Sequence, residues 1–417
     1  MIGITRLYTG RNTPSDGHRY GRQRMEGVRA EDIVTLAPPR SARERKPIVV
    51  WNVGRRCNLH CVHCYSDSEN RSYTGELTTA EGKALIDDLA AFGIPVLLFS
   101  GGEPLMRPDL FELIAHARAQ GLRITLSTNG TLITPEAAAG LRELGVSYVG
   151  ISLDGIGATN DMFRGHKGAF DKAMAGFRNC RAVGQRVGLR MTLTKRNCQD
   201  LDEIFDFIEA EGIDRACFYH LVYSGRGNSK DDVTPDVSRM AMDTILRRTK
   251  DFAERGKNIE IFTVDNHADA PYLYLKLREE NPEQAADAWE LMKWNGGGLY
   301  SSGVGIADVD FLGNVHPDQF WMSHTLGNVK ERPFSEIWRD LSDPLLAGLR
   351  DRAPLLKGKC AACQWKDVCG GSFRVRALQV YGDPWAEDPG CYLTDAERGL
   401  EPGARIREPF AEVATAP

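Results

Sequence analysis

The chain is 417 residues long, with 42% hydrophobic and 26% charged side chains and a formal net charge of −5. That length calls for two or three domains around a sizeable core, and the slightly acidic balance excludes nucleic acid as a bulk partner. No apolar run approaches a membrane span and the N-terminus lacks the basic–apolar–small order of a signal peptide, so a cytoplasmic protein without a membrane partner is expected.

In chain order, residues 1–46 are rich in Arg and Gly and show no sustained periodicity. They are expected to form an extended or mobile N-terminal lead-in ahead of Pro47. From Ile48 onward, short β-branched or apolar runs alternate with amphipathic stretches. Strands are predicted at Ile48–Val53, Val96–Ser100, Ile124–Ser127, Tyr148–Leu153, Val187–Leu193 and Ala216–Val222. Helices are predicted at Thr79–Phe92, Pro108–Gln120, Thr134–Leu144, Ala169–Val183 and Leu201–Glu211; Thr78 and Glu81 mark the start of the first and Gly93 its end. Such alternation calls for a parallel sheet with helices outside it. About six units, fewer than the eight that close a full barrel, predict an α/β fold built on a partial (β/α)6 barrel.

The pattern then changes to helices at Thr234–Glu254 and Pro282–Lys293, a hairpin with Gly313-Asn314 at its turn, and a short helix at Phe334–Asp340. A core domain over 47–230 and a smaller C-terminal domain over 231–417 are therefore expected, joined through Ser224–Asn228.

Seven of the ten cysteines fall into two groups at opposite ends of the chain. Cys57-Asn-Leu-His-Cys61-Val-His-Cys64 follows the first predicted strand, at the carboxyl end where parallel sheets gather ligands. Three thiols in this spacing can turn inward from one loop and grip three irons of a cubane cluster, leaving one iron open to a small molecule. A zinc site completed by His60 or His63 is the structural alternative. Cys360, Cys363, Cys369 and Cys391 meet the ligand count of a complete second cluster, with a zinc ribbon as rival. Cys180, Cys198 and Cys217 read as small apolar core residues.

Ser100-Gly101-Gly102-Glu103-Pro104 ends the second strand; its glycines let a ligand approach the backbone, and Glu103 can pair with a cation. Ser127-Thr-Asn129-Gly130 and Ser152-Leu-Asp154-Gly155 end the next two strands, either lining the mouth of the sheet or serving as turns.

The cysteine loop, with the Gly-Gly-Glu turn one βα unit later, resembles the signature of radical S-adenosylmethionine (SAM) enzymes. The resemblance implies a [4Fe-4S] cluster on Cys57, Cys61 and Cys64, whose open iron chelates the amino and carboxylate groups of SAM and whose electron cleaves its sulfonium. It also implies Gly101, Gly102 and Glu103 against the SAM amino group, His63 beside adenine, and Ser127, Asn129 and Asp154 at the ribose and carboxylate ends. Arg190 would pair with the carboxylate. The C-terminal cysteines resemble the auxiliary-cluster domain of the SPASM and twitch subfamilies, which implies a second [4Fe-4S] cluster on Cys360, Cys363, Cys369 and Cys391. The full SPASM form carries a further cysteine near the hairpin, where this chain has Asn314-Val-His-Pro317; one auxiliary cluster rather than two is expected.

Residues Trp51 to Tyr65 resemble the start of the radical SAM enzymes of siroheme-route haem biosynthesis. Cys369-Gly-Gly-Ser-Phe-Arg374-Val-Arg376, with the stretch from Gly382 to Leu393, is most similar to the haem d1 biosynthesis branch. That resemblance implies a tetrapyrrole substrate, 12,18-didecarboxysiroheme, which loses two propionates to a 5′-deoxyadenosyl radical in preparation for oxo groups. It implies a reducing partner such as flavodoxin or ferredoxin. The haem-forming decarboxylase of the same route and the SPASM peptide-modifying enzymes are the alternatives. A flat polycarboxylate wants aromatic faces and cations at its rim, and His220, Arg226, Trp294, Trp321, Arg374 and Arg376 are residues of the required types. The sequence identifies no general base.

Overall fold

The computed structural model describes residues 1–17 and 46–401. Its contacts separate two units, one drawn from Arg40–Asp232 and Tyr300–Arg350, the other from Met1–Pro39, Val233–Leu299 and Asp351–Pro417.

In the larger unit, β1 (Ile48–Asn52), β2 (Leu97–Ser100), β3 (Ile124–Thr128), β4 (Tyr148–Ser152), β5 (Val187–Leu193) and β6 (Arg215–His220) lie side by side in sequence order, all parallel. Helices α1 (Thr79–Phe92), α2 (Leu110–Ala119), α3 (Pro135–Glu143), α4 (Ala158–Arg164), α5 (Ala169–Ala182) and α6 (Leu201–Ala210) fill the connections. Val49, Trp51, Phe99, Leu126, Ile151 and Met191 are buried along the strands, as a parallel sheet covered by helices requires. The first four strands each end on a polar residue, Asn52, Ser100, Thr128 and Ser152. This is the expected α/β partial barrel. Cys180, Cys198 and Cys217 are free and buried.

Two boundaries differ from expectation. The chain leaves the larger unit after Asp232 but returns at Tyr300, because β7 (Ile306–Val309) pairs in parallel with β1. Strands β8 (Asn314–His316) and β9 (Gly327–Asn328) then extend the sheet antiparallel. The predicted hairpin therefore completes the barrel sheet instead of belonging to a single C-terminal domain over 231–417. At the other end, Ile2–Gly3 is a strand paired antiparallel with Glu260–Val264, and Ile4–Thr9 is a helix. Thr5 Oγ1 donates to Ile259 O at 2.8 Å, and Ile4 and Leu7 are buried. The expected extended lead-in is thus folded over these residues, whose few apolar side chains are too short a run to show a period; its remainder, 18–45, lies outside the described residues. Among the described residues no helix is long and apolar enough to cross a membrane.

Helix α1 closes the βα unit that carries the cysteines, and its start is fixed chemically. Thr78 Oγ1 accepts from Glu81 N, the Glu81 carboxylate accepts from Thr78 N, and Gly93 closes the helix at φ 81°. Replacing Thr78 with Ala should cost about 1 kcal/mol, read as a lower urea midpoint with unchanged slope. An unmoved midpoint would contradict the capping role.

Candidate active site

The loop after β1 carries Cys57, Cys61 and Cys64 and has no regular structure of its own. Hydrogen bonds from three other segments hold it. From the β2 turn, Gly102 N donates to Gly54 O at 2.8 Å and Glu103 N to Arg56 O at 2.9 Å. A Cβ on Gly102 would stand 2.3 Å from Arg56 O, so only glycine allows this approach. From α4, Arg164 O and Phe163 O accept from His60 N (3.1 Å) and Val62 N (3.0 Å). From the loop after β6, Arg226 N donates to Cys64 O at 2.9 Å and Arg226 Nε to Cys61 O at 2.8 Å. Gly225, at φ 59°, lets that loop come close. Tyr65 OH donates to Asn52 Oδ1 at 2.8 Å, pinning the end of the cysteine loop to the end of β1.

The thiols are surrounded by donors. Leu59 N (3.4 Å) and Asn129 Nδ2 (3.8 Å) point at Cys57 Sγ, and Arg164 Nη1 at Cys61 Sγ (3.5 Å). Burial pushes the Cys57 thiol up to about 12 and raises Cys61 against the opposing pull of Arg164. Such thiols ionise when a metal takes the sulfur. The buried Nε of Arg164 has no hydrogen-bond partner among the described residues, a spare donor next to the thiols. These features fit a thiolate-bound cluster, whose ligands and sulfides accept N–H bonds. Among the described residues no three or more His, Cys, Asp or Glu side chains gather tightly enough to hold a single metal ion. A cubane carries its irons at separate corners and takes thiolates set wider apart than one zinc ion allows. His63 directs Nε2 to Asp154 and His60 is exposed, so neither completes a zinc set in this arrangement.

Glu103 is 2% exposed and accepts from Thr128 Oγ1 (2.7 Å), Asn129 N (2.8 Å) and Leu105 N (3.1 Å). Burial raises its carboxyl above the usual range, and its partners are neutral donors only. A cationic amino group placed here would relieve that desolvation. Ser127 Oγ accepts from Arg190 Nη1, whose guanidinium lies 4.8 Å from the Tyr219 ring centre. The His63 ring meets the edge of Phe163, 5.6 Å away between centres.

Two of the residues expected at the nucleotide have partners within the protein. Asn129 Nδ2 bonds Asn58 Oδ1 at 2.8 Å and its Oδ1 accepts from Thr131 N at 2.9 Å, closing the turn and reaching the cysteine loop. Asp154, 1% exposed, pairs with Arg164 and with His63 (3.3 Å) and accepts from Thr192 N at 2.7 Å. Burial would raise its carboxyl, but the Arg164 guanidinium and then His63 outweigh that and hold it at about 2. Sequence reading missed Arg164, which sits on a helix too short to show periodicity; Gly165, closing it at φ 63°, was the available signal.

In the smaller unit Cys360, Cys363, Cys369 and Cys391 line one cavity of about 170 Å³. Arg374 donates to Pro384 O (3.2 Å) and to Ala386 O, while its buried Nε and Nη2 have no hydrogen-bond partner among the described residues. Its charge pulls against the burial that raises Cys360. Arg376 and Asp388 form an ion pair at 2.8 Å, each about 1% exposed. Arg374 and Arg376, two residues of the type a polycarboxylate rim needs, are thus buried and bracket the loop that ends at Cys391. Arg226 clamps the first cysteine loop, and Trp321 is fully buried in the core. His220 is also buried.

The fold and the three-thiol loop at its mouth define a SAM-dependent iron–sulfur enzyme. The family described as the Radical SAM superfamily matches residues 51–208. The chain is 55% identical over 404 residues to the Fe-coproporphyrin III synthase of Methanosarcina barkeri, covering 96% of this chain and 99% of that relative. It is 48% identical over 370 residues to the pre-heme d1 synthase of Dinoroseobacter shibae, covering 87% and 90% respectively. The structure of SuiB from Streptococcus suis bound to S-adenosylmethionine shares its fold, with a TM-score of 0.64 at 19% identity over 84% of this chain and 78% of that one. The chain belongs to the radical SAM superfamily, which brings one [4Fe-4S] cluster and SAM.

Substituting Gly102 with Ala should force the β2 turn and the cysteine loop apart, at about 1–3 kcal/mol. The expected result is lower iron content and at least tenfold less 5′-deoxyadenosine; unchanged iron and turnover would contradict the close-approach argument.

Proposed function

We propose that this enzyme removes side chains from a siroheme-derived iron tetrapyrrole and yields Fe-coproporphyrin III. What carries the reading is the 55% identity to a synthase of that product over nearly the whole of both chains. When bound, the first cluster supplies the electron that splits SAM into methionine and a 5′-deoxyadenosyl radical. Cys57, Cys61 and Cys64 would hold three of its irons. Glu103, with the Gly101-Gly102 backbone, would receive the SAM amino group; Arg190, positioned by Ser127, would receive the carboxylate; and His63 would lie beside the adenine. Asn129 and Asp154 would act through Cys57 and Arg164. Cys360, Cys363, Cys369 and Cys391 would hold a second [4Fe-4S] cluster, a reading supported by their shared cavity and the spare donors of Arg374. A low-potential carrier such as flavodoxin or ferredoxin would supply electrons in the cytoplasm.

The second reading is pre-haem d1 formation, favoured by the 48% relative and by the resemblance of the Cys369–Cys391 stretch. Both readings use the same site and part at the product. Anaerobic reaction of the reconstituted protein with SAM, dithionite and 12,18-didecarboxysiroheme, followed by mass analysis, tests them. Fe-coproporphyrin III is the expected product; loss of the propionates instead would transfer the assignment to the haem d1 branch. An unchanged tetrapyrrole would contradict both.

Replacing Cys57 with Ala should abolish 5′-deoxyadenosine formation. Cys391→Ala should lower iron by about four per chain, one cubane, while sparing part of that activity. Full iron in Cys391→Ala would remove the second cluster from the proposal.

A further inference from the structure

Arg164 reaches the cysteine loop in two ways. Its carbonyl accepts from His60 N at 3.1 Å, and its Nη1 donates to Cys61 Sγ at 3.5 Å. The side chain is 9% exposed and its Nη2 pairs with Asp154. Asp154 is itself fixed from both sides: its Oδ1 accepts from Thr192 N on β5 at 2.7 Å, and its backbone N donates to Asn160 Oδ1 on α4 at 2.9 Å. A guanidinium keeps its charge under all ordinary conditions, and desolvation strengthens its field on the neighbouring sulfur. Hydrogen bonds and charge near cluster sulfurs are among the levers that set a cluster's potential.

We infer that Arg164, held in place by Asp154, raises the reduction potential of the cluster bound by Cys57, Cys61 and Cys64, and so makes it reducible by a low-potential donor. Arg164 is a positioning residue that acts through Cys61. The inference rests on the cluster role proposed for that cysteine. The step concerned is transfer of one electron from the donor to the oxidised cluster, with no bond made or broken. The reduced cluster carries one more negative charge, so a cation beside Cys61 stabilises it more than the oxidised form. Asp154 tempers the same field. The two residues therefore push the potential in opposite directions, which a merely structural pair would not do.

The test is a dithionite-poised potential titration of the reconstituted full chain, following by electron paramagnetic resonance the signal that shifts on adding SAM. Arg164→Gln should lower the midpoint by at least a tenfold change in the one-electron equilibrium, about 59 mV. Arg164→Lys, which keeps the charge, should lie nearer the parent protein, and Asp154→Asn should move the midpoint upward. If Arg164→Gln fails to assemble the cluster, Asp154→Asn decides alone, an upward shift supporting the inference and an unmoved potential overturning it. Shifts of the same sign in Arg164→Gln and Asp154→Asn, or none, overturn it. A parent protein without any SAM-responsive signal would instead defeat the cluster assignment beneath it.

Discussion

The three thiols sit on a stretch that forms neither helix nor strand, and backbone hydrogen bonds to the ends of other elements keep it in one conformation. Gly102 and Gly225 make this possible, because any side chain at Gly102 would drive the two loops apart and Gly225 needs a left-handed backbone. Sites built this way are over-determined. Moving the loop would break bonds to the β2 turn, to α4 and to the loop after β6 together. That network fixes the loop that carries the three cysteines, and among the described residues no His, Asp or Glu gathers with them tightly enough to hold a single metal ion.

Charge follows the same plan. Buried carboxylates near the two cysteine groups are paired with guanidinium groups, Asp154 with Arg164 and Asp388 with Arg376. The first pair also places a cation at Cys61 Sγ, where desolvation gives it influence. Glu103 is the exception, equally buried but held only by neutral donors. An acid left in that condition is suited to a ligand that brings its own positive charge, and the amino group of SAM is one.

Much of the barrel was legible because its strands are short β-branched runs between capped amphipathic helices, and Thr79–Phe92 and Val187–Leu193 fall where periodicity puts them. The cysteines and Gly-Gly-Glu were legible because spacing alone constrains which metals they can serve. What sequence did not reveal lies in partners distant along the chain. At strand ends Asp154 and Asn129 read either as lining the mouth of the sheet or as turn residues, and no local pattern records their bonds to Arg164 and Asn58. Arg374 and Arg376 were residues of a type suited to a polycarboxylate rim, but the sequence does not record that they are buried against loop carbonyls and Asp388. The return of Ile306–Val309 to pair with Ile48–Asn52 joins strands about 250 residues apart, a link no local pattern records. Helix Ile4–Thr9 is too short to show a period, and strand Glu260–Val264, as long as Ile48–Asn52, lies outside the strand–helix alternation that made the others legible.

One iron of a cluster on Cys57, Cys61 and Cys64 would be left for SAM to bind. Electron–nuclear double resonance on the reduced protein with SAM isotopically labelled at its amino nitrogen tests it most directly. A hyperfine coupling to the labelled nitrogen, present in the parent protein and lost in Cys57→Ala, is expected. A coupling from a histidine nitrogen in its place, unaffected by SAM, would mean that the protein caps that iron itself.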